Sequence, residues 1–181
     1  MEKKHGAGTP MTQDIAFEDD NRLFEHFLSE TKDIQRLRSK LLYQTLSFFN
    51  SLGYMLIDPP ILHEHVPNRD KNIIVSLHDK QYDLNQSNAL YISAYTAVFE
   101  KVFAVSPAFR EEKKSNNHLV EFRILECESL NSNFQQCIDL TQNYVRFILK
   151  TMAEQFTDSI FEKRLYSLQE DLRFDTMTYK E

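Results

Sequence analysis

The chain is poor in glycine. Among its 181 residues only Gly6, Gly8 and Gly53 occur, and the first two lie in a polar N-terminal stretch. A single glycine is left for the folded body, too few to write a phosphate-cradling loop of the P-loop or dinucleotide type. Tryptophan is absent. The two cysteines, Cys127 and Cys137, make neither a metal spacing nor a disulfide framework, so a reduced, cytoplasmic setting is the default. No apolar run approaches the ~18–20 residues needed to cross a bilayer, and no membrane partner is expected. The opening MEKKHGAGTPMTQD has no apolar centre and does not read as a signal peptide. Basic excess is also missing. Lys and Arg number 21 against 27 Asp and Glu, a formal charge of −6, which argues against a general nucleic-acid binder.

What is present is ordinary globular composition, 41% hydrophobic and 27% charged, on a chain long enough for one domain with a core. Residues 1–20 read as a flexible tail and residues 21–181 as the domain. A short helix is expected over Asn21 to Ser29 and a longer one over Lys32 to Leu52, where Ile34, Leu37, Leu41, Leu42, Leu46, Phe48 and Phe49 recur at helical spacing. Gly53 stops it. Strands follow at Tyr54 to Ile57, Ile73 to Leu77 and Tyr82 to Gln86, with a turn at His78-Asp79-Lys80. A helix ends near Lys101 with Tyr95, Val98 and Phe99 expected to face inward. Asn131-Ser132-Asn133 offers N-caps to a long helix over Phe134 to Phe156, whose core stripe is read as Cys137, Ile138, Thr141, Val145, Ile148 and Met152. A last helix is expected over Ser159 to Leu172. His63, Glu64 and His65 do not read as a metal site, because adjacent residues on extended chain alternate in direction and no further ligand cluster lies nearby.

The most informative stretch is Val102 to Glu128, VFAVSPAFREEKKSNNHLVEFRILECE. It reads as strand, polar hairpin loop and returning strand. Alternation puts Arg110 and Glu112 on one face of the first strand, and Phe122, Ile124, Glu126 and Glu128 on one face of the second. If the two faces coincide, one surface holds a fixed cation, an aromatic ring and carboxylates. Such a set suits a nucleotide: arginine for phosphate, a ring to stack on a base, an acid for an exocyclic amine. The plainer alternative is a solvated hairpin with surface ion pairs.

FREE, the polar loop, HLVEF and LECE together resemble the second signature motif of class II aminoacyl-tRNA synthetases. The nearest likeness is to the aspartyl/asparaginyl subgroup, with its archaeal-type asparagine synthetase-like relatives. The resemblance implies that Arg110 holds the α-phosphate of ATP and the amino-acid carboxylate, and carries the catalytic charge. It implies that Glu112 accepts from the adenine amine, Phe122 stacks on adenine and His118 reaches the phosphates. Glu126 would face the substrate α-ammonium, more in the asparaginyl than the aspartyl manner. Asn117 stands before His118 where the family has Arg, which removes one phosphate ligand. Gln86-Ser87-Asn88-Ala89-Leu90-Tyr91 resembles the subgroup's QSPQLY, and Gln86 would then lie beside the bound amino acid. Ala89 replaces the second Gln of that motif. The helix, Gly53, strand and prolines resemble the first motif, with Pro60 as its dimer-interface proline; the plain alternative is a core helix packed on a sheet.

The resemblance implies an α+β fold, a mostly antiparallel sheet flanked by helices. The implied chemistry is ATP-dependent formation of an aminoacyl adenylate from aspartate, asparagine or a similar amino acid. The glycine-rich third motif, with its second ATP-binding Arg and the acidic ligands of Mg²⁺, is not found. The expectation is therefore an incomplete synthetase core, impaired or completed by a homodimer partner or a second polypeptide. The alternative is a non-catalytic relative that binds a nucleotide or acts through dimerisation. Nothing in the residues distinguishes tRNA, ammonia or a metabolite as acyl acceptor.

Overall fold

The computed structural model describes residues 17–65, 70, 72–112, 115, 117–155, 162–170, 172–175 and 177. Two compact units are present, Met1–Ser39 and Lys40–Glu181. The first holds the beginning of helix α1, Phe17–Ser51. Sequence expected two helices separated near Glu30; they are one. Neither proline nor glycine interrupts residues 17–51, and the hydroxyls of Ser29 and Thr31 donate back to the carbonyls of His26 and Phe27, both at 2.8 Å. Phe17 to Asp20, expected in the tail, form its first turn; residues 1–16 lie outside the described residues.

In the second unit α1 ends as its sequence dictates. Gly53 takes φ +78°, which a side chain would resist. The Tyr54 N–H returns to the Phe49 carbonyl at 3.0 Å and that of Gly53 to Asn50 at 3.0 Å, a glycine-terminated helix end. Among the described residues the strands divide between two three-stranded sheets. One runs β1 (Met55–Leu56), β5 (Lys101–Phe109), β6 (Glu121–Ser129), with β1 parallel and β6 antiparallel to β5. The other is antiparallel, with β4 (Lys80–Leu84) between β2 (Leu62–Glu64) and β3 (Ile74–Leu77). His78 and Asp79 both have positive φ, 49° and 62°, so two residues suffice for the β3–β4 turn. Lys80 is accordingly a strand residue opposite Leu77.

β5 passes straight through Pro107. The Arg110 N–H points to β6 (Val120 carbonyl, 3.0 Å), whereas that of Phe109 points the other way, to the Asn85 carbonyl at 2.7 Å. By alternation the nitrogen of Pro107 also faces away from β6. On that side β1 pairs only with Val102 and Phe103, so no ladder bond is lost.

One face of β5–β6 packs on helices. Phe103 stacks on Phe49 at 4.8 Å between centroids; Phe48 meets Tyr144 and Phe147 of α3 (Phe134–Gln155) at 5.4 and 5.1 Å. Leu46, Val105, Leu125 and Leu140 close this cluster. Each fully buried side chain of this size contributes about 1.5–3 kcal/mol. Desolvation on this face raises the hydroxyl pKa of Tyr54 and Tyr144 and pushes the Cys127 thiol up to about 11, so all three stay neutral.

Asn133 begins α3 with a reciprocal cap: its side chain accepts from the Gln136 N–H at 2.9 Å while Gln136 returns a carbonyl to the Asn133 N–H at 2.8 Å. The inner face of α3 runs through Leu140, Tyr144 and Phe147 to buried Met152 and Ala153. Of the expected stripe, Met152 is buried and Ile138, Val145 and Ile148 are half-buried, whereas Cys137 and Thr141 are exposed, so the inner face is shifted towards Leu140, Tyr144 and Phe147. In α2 (Ala89–Phe99) the inward pair is Ile92 and Thr96. Tyr95, Val98 and Phe99 are exposed, contrary to expectation. An almost wholly apolar helix carries no periodicity from which its inner face could be read. α4 covers Glu162–Glu170; the rest of the expected last helix includes residues outside the described set.

Candidate functional site

The β5–β6 register answers the question that alternation leaves open. Ala104, Ser106 and Ala108 stand opposite Glu126, Ile124 and Phe122, and Arg110 continues the line. Arg110, Phe122 and Glu126 therefore share a face. The small residues of β5 on this face are buried, Ala104 in a cluster with Ile92 of α2. The Arg110 guanidinium lies 5.3 Å from the Phe122 ring centroid, a cation–π distance. Its Nη2 donates to the Gln86 carbonyl at 3.4 Å. Arginine and ring are both half-buried, so the cation is partly desolvated and still reachable.

Glu126 works at the start of α2. One carboxylate oxygen accepts from the Ser87 hydroxyl and the other from the Asn88 N–H, each at 2.5 Å. A carboxylate at a helix N-terminus is favourable. Two residues along, Glu128 accepts from Ser93 at 2.7 Å. The Gln86 side chain donates to the Asp70 carbonyl at 2.8 Å and to Asn72 Oδ1 at 2.7 Å. The expected site residues Arg110, Phe122, Gln86 and Glu126 thus belong to one connected arrangement. Half-buried Glu112 follows two residues after Arg110. His118 sits at the exposed hairpin tip, Nδ1 2.7 Å from the Ser115 hydroxyl. Pro60 is exposed and lies elsewhere, on a groove with Asp58, Ile61, Pro107 and Arg123.

Beneath the site is a polar cluster that sequence reading missed. Asn85, 1% exposed, donates to Asn88 Oδ1 at 3.0 Å and to the Pro107 carbonyl at 3.2 Å. Its Oδ1 accepts from the Ser87 N–H at 3.1 Å and lies 3.2 Å from His63 Nε2. Ser106 donates to Asn88 Oδ1 at 2.7 Å, and His63 Nδ1 meets the Tyr91 hydroxyl at 3.2 Å. Nearby, Asp83 pairs with His65 at 2.7 Å and accepts from Asn72 at 2.9 Å. Asn88 Nδ2 has no partner in the buried cluster. The one sequence signal was Ser106, a polar residue on the buried face of an apolar strand. Among the described residues no group of three or more His, Cys, Asp or Glu could hold a metal.

The profile of the family described as tRNA synthetases class II (D, K and N) matches residues 14–181. The fold is similar to solved asparaginyl-tRNA synthetases. That from Pyrococcus horikoshii, complexed with asparaginyl-adenylate, superposes with a TM-score of 0.61 at 21% identity, over 81% of this chain and 39% of that one. The Entamoeba histolytica enzyme gives 0.67 at 18% identity in complex with asparaginyl-adenylate, over 93% of this chain and 37% of its own. A second structure of it gives 0.69 at 18%, over 94% and 38%. The chain spans less than two-fifths of the length of these proteins, and at such identities the likeness is one of fold.

Proposed function

Because the chain belongs to the class II tRNA synthetase family of the D, K and N type, we propose that its Lys40–Glu181 unit carries an asparaginyl/aspartyl-tRNA synthetase-like site. Its ligands are ATP and an asparagine- or aspartate-like amino acid. The observation that carries this reading is the common face of Arg110, Phe122 and Glu126, with the guanidinium 5.3 Å from the ring. A cation on an aromatic platform is suited to a phosphate joined to a base. In this reading Phe122 stacks on adenine, Glu112 accepts from its amine, and His118 donates to the phosphates. Gln86 and Glu126 lie towards the amino acid.

The reaction is then a displacement at phosphorus. A carboxylate oxygen of the amino acid bonds to the α-phosphorus, the bond to the β-phosphate bridging oxygen breaks, and pyrophosphate leaves with the electron pair. No proton moves and no protein nucleophile is needed. The chain's part is orientation and charge: Arg110 offsets the negative charge gathering on the α-phosphate oxygens. Magnesium would travel with the nucleotide; among the described residues no group of three or more His, Cys, Asp or Glu gathers to hold it.

A non-catalytic reading draws on Glu126. Both its oxygens are already engaged by Ser87 and Asn88, so a substrate ammonium would have to share them. Calorimetric titration with ATP, alone and with asparagine or aspartate, separates the two. Saturable ATP binding that tightens with either amino acid supports activation. ATP binding indifferent to both leaves a nucleotide-binding module, and a folded chain that binds no ATP overturns both readings.

The same reading makes the chain a homodimer in the cytoplasm. Tyr43, Leu52, Met55 and Leu56 expose apolar surface around the β1 edge, and Ile61 and Leu62 beside Pro60 are also exposed, the kind of surface that marks an interface. Sedimentation at tens of micromolar, on the order used to detect weak association, is expected to give twice the 21.4 kDa chain mass. It should return to monomer on Leu56→Glu. A wild-type monomer under these conditions would rule the dimer out.

A further inference from the structure

His65, Asp83 and Asn72 form a line of side chains that ends on Gln86. Asp83 is 1% exposed and lies in the central strand β4, opposite His63 of β2 and Ile74 of β3. Its Oδ1 is 2.7 Å from His65 Nδ1 and its Oδ2 is 2.9 Å from Asn72 Nδ2. Asn72 Oδ1 lies 2.7 Å from Gln86 Nε2, and that same nitrogen lies 2.8 Å from the Asp70 carbonyl. The last contact fixes the direction of the others. A backbone carbonyl can only accept, so the Gln86 atom facing it is the NH₂. The Asn72 atom facing that NH₂ is then its oxygen, which turns the Asn72 NH₂ onto the Asp83 carboxylate. Flipping either amide would set donor against donor or acceptor against acceptor. The main chain holds Asn72 as well, since the next carbonyl, that of Ile73, accepts from the Leu84 N–H at 3.0 Å. Both NH₂ protons of Gln86 are therefore spent, and among the described residues nothing donates to its Oε1. Gln86 is half-buried, and its backbone carbonyl accepts from Arg110.

We propose that Asn72 is a positioning residue: anchored on the buried Asp83, it orients the Gln86 amide so that Oε1 is the acceptor for an N–H donor of the bound amino acid. The ligand part rests on the synthetase-like reading above. An unheld glutamine amide can offer either its oxygen or its NH₂ and so serves an anion or a donor alike. Held by Asn72 and the Asp70 carbonyl, it serves a donor only. An amino acid brings two kinds of such donor, the α-ammonium and, in asparagine, the side-chain amide.

The test uses the full chain, with nitrogen-15 in the glutamine side chains and Asn72→Ala and Asn72→Ser variants. Gln86→Ala identifies the Gln86 amide signals. Wild type is expected to show both Gln86 amide protons shifted downfield by hydrogen bonding. In Asn72→Ala one of them should move upfield, while the one on the Asp70 carbonyl stays. Asn72→Ser, whose hydroxyl can accept and donate, should fall between, and it carries every readout if the alanine chain does not fold. Calorimetry in saturating ATP should find asparagine bound about tenfold more weakly by Asn72→Ala, the order of one lost hydrogen bond to a charged or well-aimed group, with ATP affinity itself unchanged. The same loss for aspartate assigns the donor to the α-ammonium, and a loss for asparagine alone assigns it to the side-chain amide. Gln86 signals identical in wild type and Asn72→Ala overturn the proposal, as does an equal loss for ATP and amino acid, or a loss for aspartate alone. A wild type that binds neither amino acid beside ATP overturns the ligand role together with the amino-acid reading. The Gln86 signals then tell that failure from a failure of the Asn72 link.

Discussion

Arg110→Ala is expected to weaken ATP binding about a hundredfold, roughly 2.7 kcal/mol. A charge-assisted bond to a phosphate contributes about 1.5–3 kcal/mol, and a half-buried guanidinium stands at the upper end of that range. Arg110→Lys keeps the charge but loses both the planar stack and the two-pronged grip, so it should recover only about a tenth of the lost affinity ratio. Folding should hardly change in either variant. The guanidinium is half-buried, and its bond to the Gln86 carbonyl is long, at 3.4 Å. Urea unfolding should therefore move by less than about 1 kcal/mol. An Arg110→Ala chain that is folded and binds ATP as wild type does would remove the arginine, and with it the proposed nucleotide site.

The largest expected stability effect lies one layer below, at Asn85. Asn85→Ala should reduce the unfolding free energy by about 3 kcal/mol, because each buried partner left without its bond costs about 1–3 kcal/mol. Asn85 ties together elements that no strand ladder joins. Its backbone N–H donates to the Ile61 carbonyl at 2.8 Å and its carbonyl accepts from the Phe109 N–H at 2.7 Å. Its side chain reaches Asn88, Ser87, Pro107 and His63. The backbone bonds survive the substitution; the side-chain bonds do not. Asn85→Asp is the informative companion. It preserves shape but replaces the donor that faces Asn88 Oδ1 and the Pro107 carbonyl with another acceptor, so it should be at least as damaging as alanine. Urea unfolding reads both. Because Gln86 and Ser87 follow directly, ATP affinity should fall even under conditions where the variants are folded. A loss below about 1 kcal/mol in both would mean that the polar cluster does not hold the two sheets together.

The hairpin shows how far alternation reaches. Period two placed Phe122 with Glu126 from sequence alone, because successive side chains on a strand have no choice of face; Arg110 and Glu112, expected on extended chain, follow the end of β5 at Phe109. Whether those two faces were the same one was a matter of register, settled by the pairing of Ala108 with Phe122. Helix α2 shows the opposite case. Its eleven residues are nearly all apolar or small, so every face looked like an inner one, and Ile92 and Thr96 were selected by the sheet beneath. The α3 stripe was displaced for a related reason. Leu140, Tyr144 and Phe147 meet the Phe48 and Phe49 rings of α1, and a neighbouring helix decides which of two adjacent apolar stripes is covered.

Sequence by itself determined the glycine stop of α1, a polar cap for α3 within residues 131–133, and the lack of glycine for a phosphate loop. Each depends on local chemistry: a backbone angle, a hydrogen bond over three residues, a side-chain type or its absence. Which of the three candidates caps α3 is decided by the Asn133–Gln136 exchange. Tertiary structure alone decided that Arg110 stacks on Phe122, that Glu126 caps α2, and that Asn85, Asn88, Ser106 and His63 meet in one buried cluster. Asn85 and Asn88 apart, those contacts join residues 12 to 39 positions distant, and a polar side chain in a strand carries no mark of its distant partner. Only the packing that removes water from between them makes the hydrogen bond necessary.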